Sequence, residues 1–67
     1  MRGKRPGKGE VYLEYVAIGH MMKVSAVDAA TGDEVSIAAP RDTPRSELDR
    51  VAIAKLRYVQ NKKKSAR

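Results

Sequence analysis

Apolar and polar residues alternate in three segments of the chain, which begin near Val11, Met21 and Glu34. A period of two is typical of strands that have one face buried and one face exposed. The alternation is less regular at the end of the first segment, where Val16 and Ile18 are apolar as well. The predicted inward positions are Val11, Leu13, Tyr15, Met22, Val24, Ala26, Val35 and Ile37.

Turn-forming residues separate these segments. Gly19-His20 interrupts the first pair, and Asp28-Ala-Ala-Thr-Gly-Asp33 lies between the second and third. Asp and Thr side chains bond their own backbone in turns, and Gly32 can adopt a positive φ. Asp33 and Glu34 could also hold a cation, but the ligand spacing of a calcium loop is missing, so turn chemistry is preferred. Pro40 ends the third segment, and the pattern predicts a three-stranded antiparallel meander.

A helix is predicted after the meander, over about residues 44–60. Asp42 or Thr43 can cap its first turn, and Pro44 suits the first helical position. Apolar residues then recur at spacings of three and four, which predicts an amphipathic helix. The members of this stripe are Leu48, Val51, Ala52, Leu56 and Val59.

The buried face of this helix has two possible positions. Lys55 falls inside the apolar stripe at about 100° per residue, whereas Ile53 falls outside it. Either Lys55 extends its amine from the edge of the stripe to solvent, or the buried face is rotated toward Ile53.

One helix can cover one face of the predicted sheet, so the expected fold is α+β with the order β-β-β-α. The expected core combines the eight inward strand positions with Leu48, Ala52, Leu56 and Val59. This core is thin, and a domain near this size buries only about 60% of the surface that its unfolded chain exposes, so its stability is marginal. Self-association through the sheet is therefore expected as a supplement.

Composition restricts the chemistry of the chain. It has no cysteine and one histidine, so neither a disulfide nor a zinc site is expected, and we expect no cofactor. Histidine is the usual general base near neutral pH, and the one histidine, His20, falls at a predicted bend. No nucleophile motif surrounds a serine, so the expectation is a protein without enzymatic activity.

The net charge of +6 is concentrated at the two ends of the chain. We therefore expect a basic flexible tail at residues 1–8, a single domain at residues 9–60 with a charge of −2, and a basic tail at residues 61–67. Clustered Lys and Arg on flexible arms can neutralise phosphates. The candidate nucleic-acid contacts are Arg2, Lys4, Arg5, Lys8, Lys62, Lys63, Lys64 and Arg67.

The blocks EYVAIGHMMKVSAVDAATGDEVSIAAP, from Glu14 to Pro40, and LDRVAIAKLRYV, from Leu48 to Val59, resemble a family of small basic alphaproteobacterial proteins of unknown function. The resemblance covers most of residues 9–60 and leaves out both tails. It implies a bacterial cytoplasmic protein and no particular activity, cofactor or catalytic residue.

The preferred functional hypothesis is a non-enzymatic interaction module that binds itself or another protein through a sheet face or edge. The alternative is an accessory nucleic-acid or ribosome binder that acts through the basic tails. We expect a cytoplasmic location, since no apolar run is long enough to span a membrane.

Overall fold

The computed structural model describes residues 10–65 and has the predicted β-β-β-α order. Three strands, β1 (Val11–Ile18), β2 (Met21–Asp28) and β3 (Glu34–Pro40), precede one helix, α1 (Arg45–Ser65). Each strand pairs antiparallel with the next, and the sheet order is β1-β2-β3. The predicted meander is confirmed.

Both turns depend on a glycine with positive φ. Gly19 has a φ of 60° and is followed by His20, whose φ is not positive, which is the sign pattern of a type II′ hairpin turn. Gly32 has a φ of 82° in the second turn. There the Asp28 carboxylate accepts hydrogen bonds from the amides of Ala30 and Thr31, as expected from the local preference of Asp for turns.

The core lies between α1 and strands β2 and β3. Its fully enclosed members are Val24, Ala26, Leu48, Ala52 and Leu56. Partly buried side chains surround them: Val11, Leu13, Tyr15, Met22, Val35, Ile37 and Ala39. All eight strand residues that were predicted to face inward belong to this cluster, and Ala39 belongs to it as well. Val59, which was expected in the core, is half-buried and lies outside this cluster.

Each of the two alternatives for the helix face is correct in part. Leu48, Ala52 and Leu56 point into the core, whereas Val51 is 38% exposed. The buried face is therefore rotated away from Val51, and Ile53 is half-buried. Lys55 is exposed, and its Nζ atom donates to a backbone carbonyl of β3.

The helix bounds differ from the predicted 44–60. The helix begins at Arg45, and the carbonyl of Pro44 accepts bonds from the amides of Glu47 and Leu48. Among the described residues, no side-chain cap from Asp42 or Thr43 to the first turn is found. The helix extends to Ser65 because side chains of its last turns bond the β2–β3 turn, as described below. The helix of this structure is too polar to cross a membrane.

Candidate interaction surface

The face of the sheet opposite α1 is uncovered within the described residues, and its side chains form four rows across the strands. Tyr12, Val16, Ile18 and Met21 are 52%, 48%, 59% and 41% exposed on this open face. Ile18 and Met21 are direct cross-strand partners beside the β1–β2 turn. Three of the four exposed side chains belong to β1, so the exposed apolar surface is concentrated on one side of the sheet.

The centre of the open face is polar. The hydroxyls of Ser25 and Ser36 lie 3.0 Å apart, which satisfies two polar groups on neighbouring strands. Glu14 is the β1 member of the same row, and Lys23 lies one row further on, opposite Val16. Neither Glu14 nor Lys23 forms an ion pair within residues 10–65.

The outer edge of β1 presents unpaired backbone groups. The amide of Ala29 donates to the carbonyl of Glu10 at 3.0 Å, which fixes the even-numbered residues of β1 as those that bond β2. In an antiparallel pair, every second residue bonds the partner strand, and the intervening residues direct their N–H and C=O groups away from it. In β1 the intervening residues are the odd-numbered ones. These groups find no partner in the described part of the chain, and they belong to Val11, Leu13, Tyr15 and Ala17.

The outer edge of β3 is better protected. The amide of Asp28 donates to the carbonyl of Asp33 at 2.8 Å, so the even-numbered residues of β3 face outward. The Lys55 ammonium donates to the outward carbonyl of Ser36 at 2.9 Å. Pro40, at the end of the strand, has no N–H to offer. The lysine side chain from α1 occupies an outward carbonyl of β3, and the proline removes an outward N–H, so both oppose pairing of β3 with another chain. β1 is therefore the more accessible edge.

Tyr15 attaches β1 to the helix. Its hydroxyl donates to the Asp49 carboxylate, and the Arg45 guanidinium lies 4.0 Å from the centre of its ring. The hydrogen bond to Asp49 raises the pKa of Tyr15, with burial adding to the effect. Because α1 packs mainly on β2 and β3, this contact keeps β1 aligned with the helix without covering its outer edge.

A polar cluster at the other end of the molecule joins the β2–β3 turn to α1. The buried Asp28 carboxylate accepts hydrogen bonds from Arg57 at 3.0 Å and Gln60 at 2.8 Å. Asp33 accepts from Gln60 at 3.1 Å and from Lys63 at 2.6 Å. These donors fix the last turns of the helix against the turn.

The cluster also determines the charge state of both carboxyls. The Gln60 hydrogen bond and the amide of Ala30, with Arg57 contributing, lower the pKa of Asp28 from 3.8 to about 2. The Lys63 hydrogen bond is the largest of the effects that lower the pKa of Asp33. Both carboxylates are therefore charged and already bonded, and within residues 10–65 no group of three metal-ligating side chains is found.

Two clefts flank the helix. An open cleft of about 550 Å³ lies beside the polar cluster and is lined by Thr31, Asp33, Arg57, Gln60, Asn61 and Lys63. A more apolar groove of about 440 Å³ runs between β3 and the first half of α1. Charged groups that line the first cleft form ion pairs that join the β2–β3 turn to α1. We therefore assign the first cleft a structural role.

Three of the eight candidate nucleic-acid residues lie in the described part of the chain. Lys63 bonds Asp33, while the Lys62 ammonium lies 5.9 Å from the ring centre of the exposed Tyr58. Lys64 belongs to α1. The other five lie outside the described residues: Arg2, Lys4, Arg5, Lys8 and Arg67. Their proposed role in phosphate binding stays a prediction.

Sequence reasoning missed the buried position of Asp28 and the contacts of Tyr15 and Lys55. One signal for Asp28 was present, because it continues the two-residue period of Val24 and Ala26 and so falls on the inward face. Its partners come from a helix 29 and 32 residues away in sequence, and no local pattern identifies such contacts.

Comparisons with known proteins identify a family but no described activity. No curated protein and no solved structure matches the chain. A family model described as a domain of unknown function (DUF6898) matches residues 8–63, which is most of the chain. The resemblance to a family of unknown function is confirmed, and the chain belongs to the DUF6898 domain family.

Proposed function

We propose that this chain is a non-enzymatic protein-interaction module that binds an extended polypeptide along the outer edge of β1. The unequal protection of the two sheet edges is the observation that carries the proposal. Lys55 and Pro40 protect β3, whereas the outward backbone groups of β1 lack partners in the described structure. An added strand obtains affinity from such groups and specificity from the side chains beside them.

The side chains of β1 suit a strand with apolar residues on one face. Tyr12, Val16 and Ile18 flank the edge on the open face, and each is about half exposed or more. Burial of apolar surface contributes about 25 cal/mol per Å², so a bound strand that covers these residues adds hydrophobic stabilisation to its backbone hydrogen bonds. Backbone hydrogen bonds and apolar burial together favour the binding of a strand at β1 more than backbone hydrogen bonds alone would.

The arrangement of the polar groups supports binding over catalysis. Asp28 and Asp33 are engaged by side chains of α1, and His20 is exposed in the β1–β2 turn. A carboxylate that is held charged by structural donors is poorly placed to act as a general acid near neutral pH. We also propose that the protein is located in the cytoplasm of a bacterium, specifically an alphaproteobacterium, as the sequence resemblance implies.

The test is site-specific photo-cross-linking of the full chain inside the cells of origin, with the photoreactive residue at Ile18. A discrete adduct is expected, and Ala17→Pro should abolish it, because proline removes an outward N–H of β1 and leaves the β1–β2 ladder intact. Ala38→Pro is the matched control, since its N–H is outward on β3. The same adducts in both variants, or none in the parent, would contradict the proposal.

One observation favours nucleic-acid binding as a second function. Lys62 lies beside the exposed ring of Tyr58, and an aromatic face next to a cation can stack an unpaired base. The other support comes from the basic residues near the two chain ends. This function ranks second because Lys63 is already paired with Asp33.

A further inference from the structure

We infer that the strand bound by β1 is the β1 strand of a second copy, paired antiparallel about a two-fold axis at Tyr15. This inference rests on the proposed function and identifies its partner. The resulting dimer has one continuous sheet of six strands. The identification follows from the register that the side chains of β1 permit.

Symmetry leaves few registers. In a two-fold antiparallel pair, residues at equal distances on either side of the axis face each other, and the outward residues of β1 must form the hydrogen-bonded pairs. The registers that pair at least five residues of Val11–Ile18 are therefore centred on Leu13, Glu14, Tyr15 or Val16. They differ in which side chains become neighbours on the open face.

Three of these registers are unfavourable. Centring on Val16 places Glu14 against Ile18 of the second copy and leaves Tyr12, which is 52% exposed, beyond the end of the paired strand. Centring on Glu14 places this carboxylate directly opposite its copy, and like charges in direct cross-strand pairs are destabilising. Centring on Leu13 places Glu14 against Tyr12 of the second copy and leaves Ile18 beyond the end of the paired strand. The most exposed apolar residue of β1 then stays uncovered.

The register centred on Tyr15 pairs apolar groups with one another. Tyr12, which is 52% exposed, then faces Ile18 of the second copy, which is 59% exposed, and the contact occurs twice by symmetry. On the helix-facing side, Leu13 lies opposite Ala17 of the second copy. Aromatic residues against β-branched residues are favourable cross-strand pairs.

Charge also favours this register. Glu14 faces Val16 of the second copy, and Val16 has Lys23 as its neighbour on β2. Glu14 is then two strands, or roughly 10 Å, from Lys23 of the second copy at the backbone, which a lysine side chain can bridge. Both residues lack an ion pair within the described monomer, and the register provides one.

The charge balance of the described residues permits self-association. Residues 10–65 contain nine Lys and Arg and eight Asp and Glu, so their formal charge is +1. β1 itself contains no basic residue. Long-range repulsion between two copies therefore comes from the chain ends, and salt screens it over about 8–10 Å.

Because the natural chain lacks cysteine, engineered cysteines can determine the register. The full chain is prepared as Glu14→Cys and as Val16→Cys, and the two are mixed and oxidised. In the Tyr15 register these positions form a non-hydrogen-bonded pair whose Cα separation of about 4.5 Å suits a disulfide. The mixed disulfide should form in preference to either homodimeric disulfide, because like positions are diagonal neighbours roughly 7–8 Å apart in this register, too far for a disulfide without movement of the backbone. Preferential cross-linking of Glu14→Cys to itself would overturn the assigned register.

Sedimentation equilibrium of the full chain tests the dimer independently. The mass should rise with concentration toward twice 7.4 kDa, and Ala38→Pro should behave like the parent. Ala17→Pro should stay monomeric, and because that variant could fail to fold, the disulfide pattern is the second readout.

The outcomes separate this inference from the proposed function. A monomeric parent without the mixed disulfide, but with a proline-sensitive adduct at Ile18 in cells, would identify a strand of another protein as the partner and overturn the dimer. Absence of the adduct as well would overturn both proposals.

Discussion

At the scale of single residues, Asp28 is a buried carboxylate that links the β2–β3 turn to the helix. It accepts hydrogen bonds from two backbone amides and two side chains while only 4% of its surface is exposed. A buried charge is tolerated when it is bonded in this way. Asp28 therefore stabilises the fold at neutral pH and makes that stability depend on pH.

The stability of the protein should fall in acid because of this residue. The pKa of Asp28 is about 2 in the folded protein and 3.8 ordinarily, so the unfolded chain takes up a proton first as the pH falls. The stabilisation is complete above a pH of about 4 and is lost as the pH falls toward about 2. Urea unfolding across this range should show the decline. Asp28→Asn should lower stability at pH 7 and flatten the decline, and an unchanged slope would contradict this role.

The sequence identified Asp28 as a turn residue but not as the centre of a cluster. Its bonds to Ala30 and Thr31 are local, and the preference of aspartate for turns predicts them. Its bonds to Arg57 and Gln60 exist because α1 returns across the sheet. Interactions between distant segments require the packed fold.

At the scale of elements, the helix shows how far an apolar pattern specifies a buried face. The stripe correctly includes Leu48, Ala52 and Leu56 but also includes Val51, which is 38% exposed. The sheet that packs against the helix has only three strands, so it covers a smaller part of the helix surface than the apolar stripe occupies. Val51 therefore lines the groove beside β3.

Truncation of two helix residues tests this assignment. Leu56 is fully buried, so Leu56→Ala should destabilise the fold by about 2–5 kcal/mol, which includes the cavity that it leaves. Val51→Ala is the control and should cost less than about 1 kcal/mol because its side chain already contacts solvent. Chemical denaturation with far-ultraviolet circular dichroism measures both. Equal losses would place Val51 in the core and contradict the described face.

The two edge strands show the same dependence on distant segments. The alternation of residues identifies β1 and β3 as strands, and Pro40 marks the end of β3. Lys55 reaches the carbonyl of Ser36 only because α1 lies over β2 and β3. The difference between a protected and an open edge is therefore a property of the helix position.

At the scale of the whole molecule, the basic ends and the β1 edge are separate features that can be tested separately. The open face and β1 lie in a region of nearly balanced charge, whereas the net charge of +6 comes from the ends. Binding to phosphates should respond steeply to salt, and strand pairing should not.

A charge-neutralised full chain should separate these two activities. In this variant, glutamine replaces seven basic residues: Arg2, Lys4, Arg5, Lys8, Lys62, Lys64 and Arg67. Lys63 is kept because it bonds Asp33. At high salt, dimerisation should change less than about twofold, because these residues lie outside β1 and surface charges contribute little to such contacts. At low salt it should strengthen, because the repulsion between the chain ends is removed. Sedimentation at low and high salt measures this, and loss of the dimer would assign it to the chain ends.

Titration with a short single-stranded RNA completes the comparison. Salt-sensitive binding by the parent that is lost in the neutralised variant would support the second function. Binding retained in the variant would instead point to the described domain, with Tyr58 as the first residue to substitute.

The sequence alone determined the strands, the turns and the helix, because alternation, positive-φ glycines and apolar spacing act over a few residues. It also determined most of the core, since period-two and period-3.6 patterns specify inward faces. The tertiary structure decided which helix residues are buried, why α1 continues to Ser65, and which sheet edge is open. Each of these depends on contacts between segments 19 or more residues apart, such as Lys55 with Ser36 and Gln60 with Asp28, and the energies of such contacts are set by the packing of the whole chain.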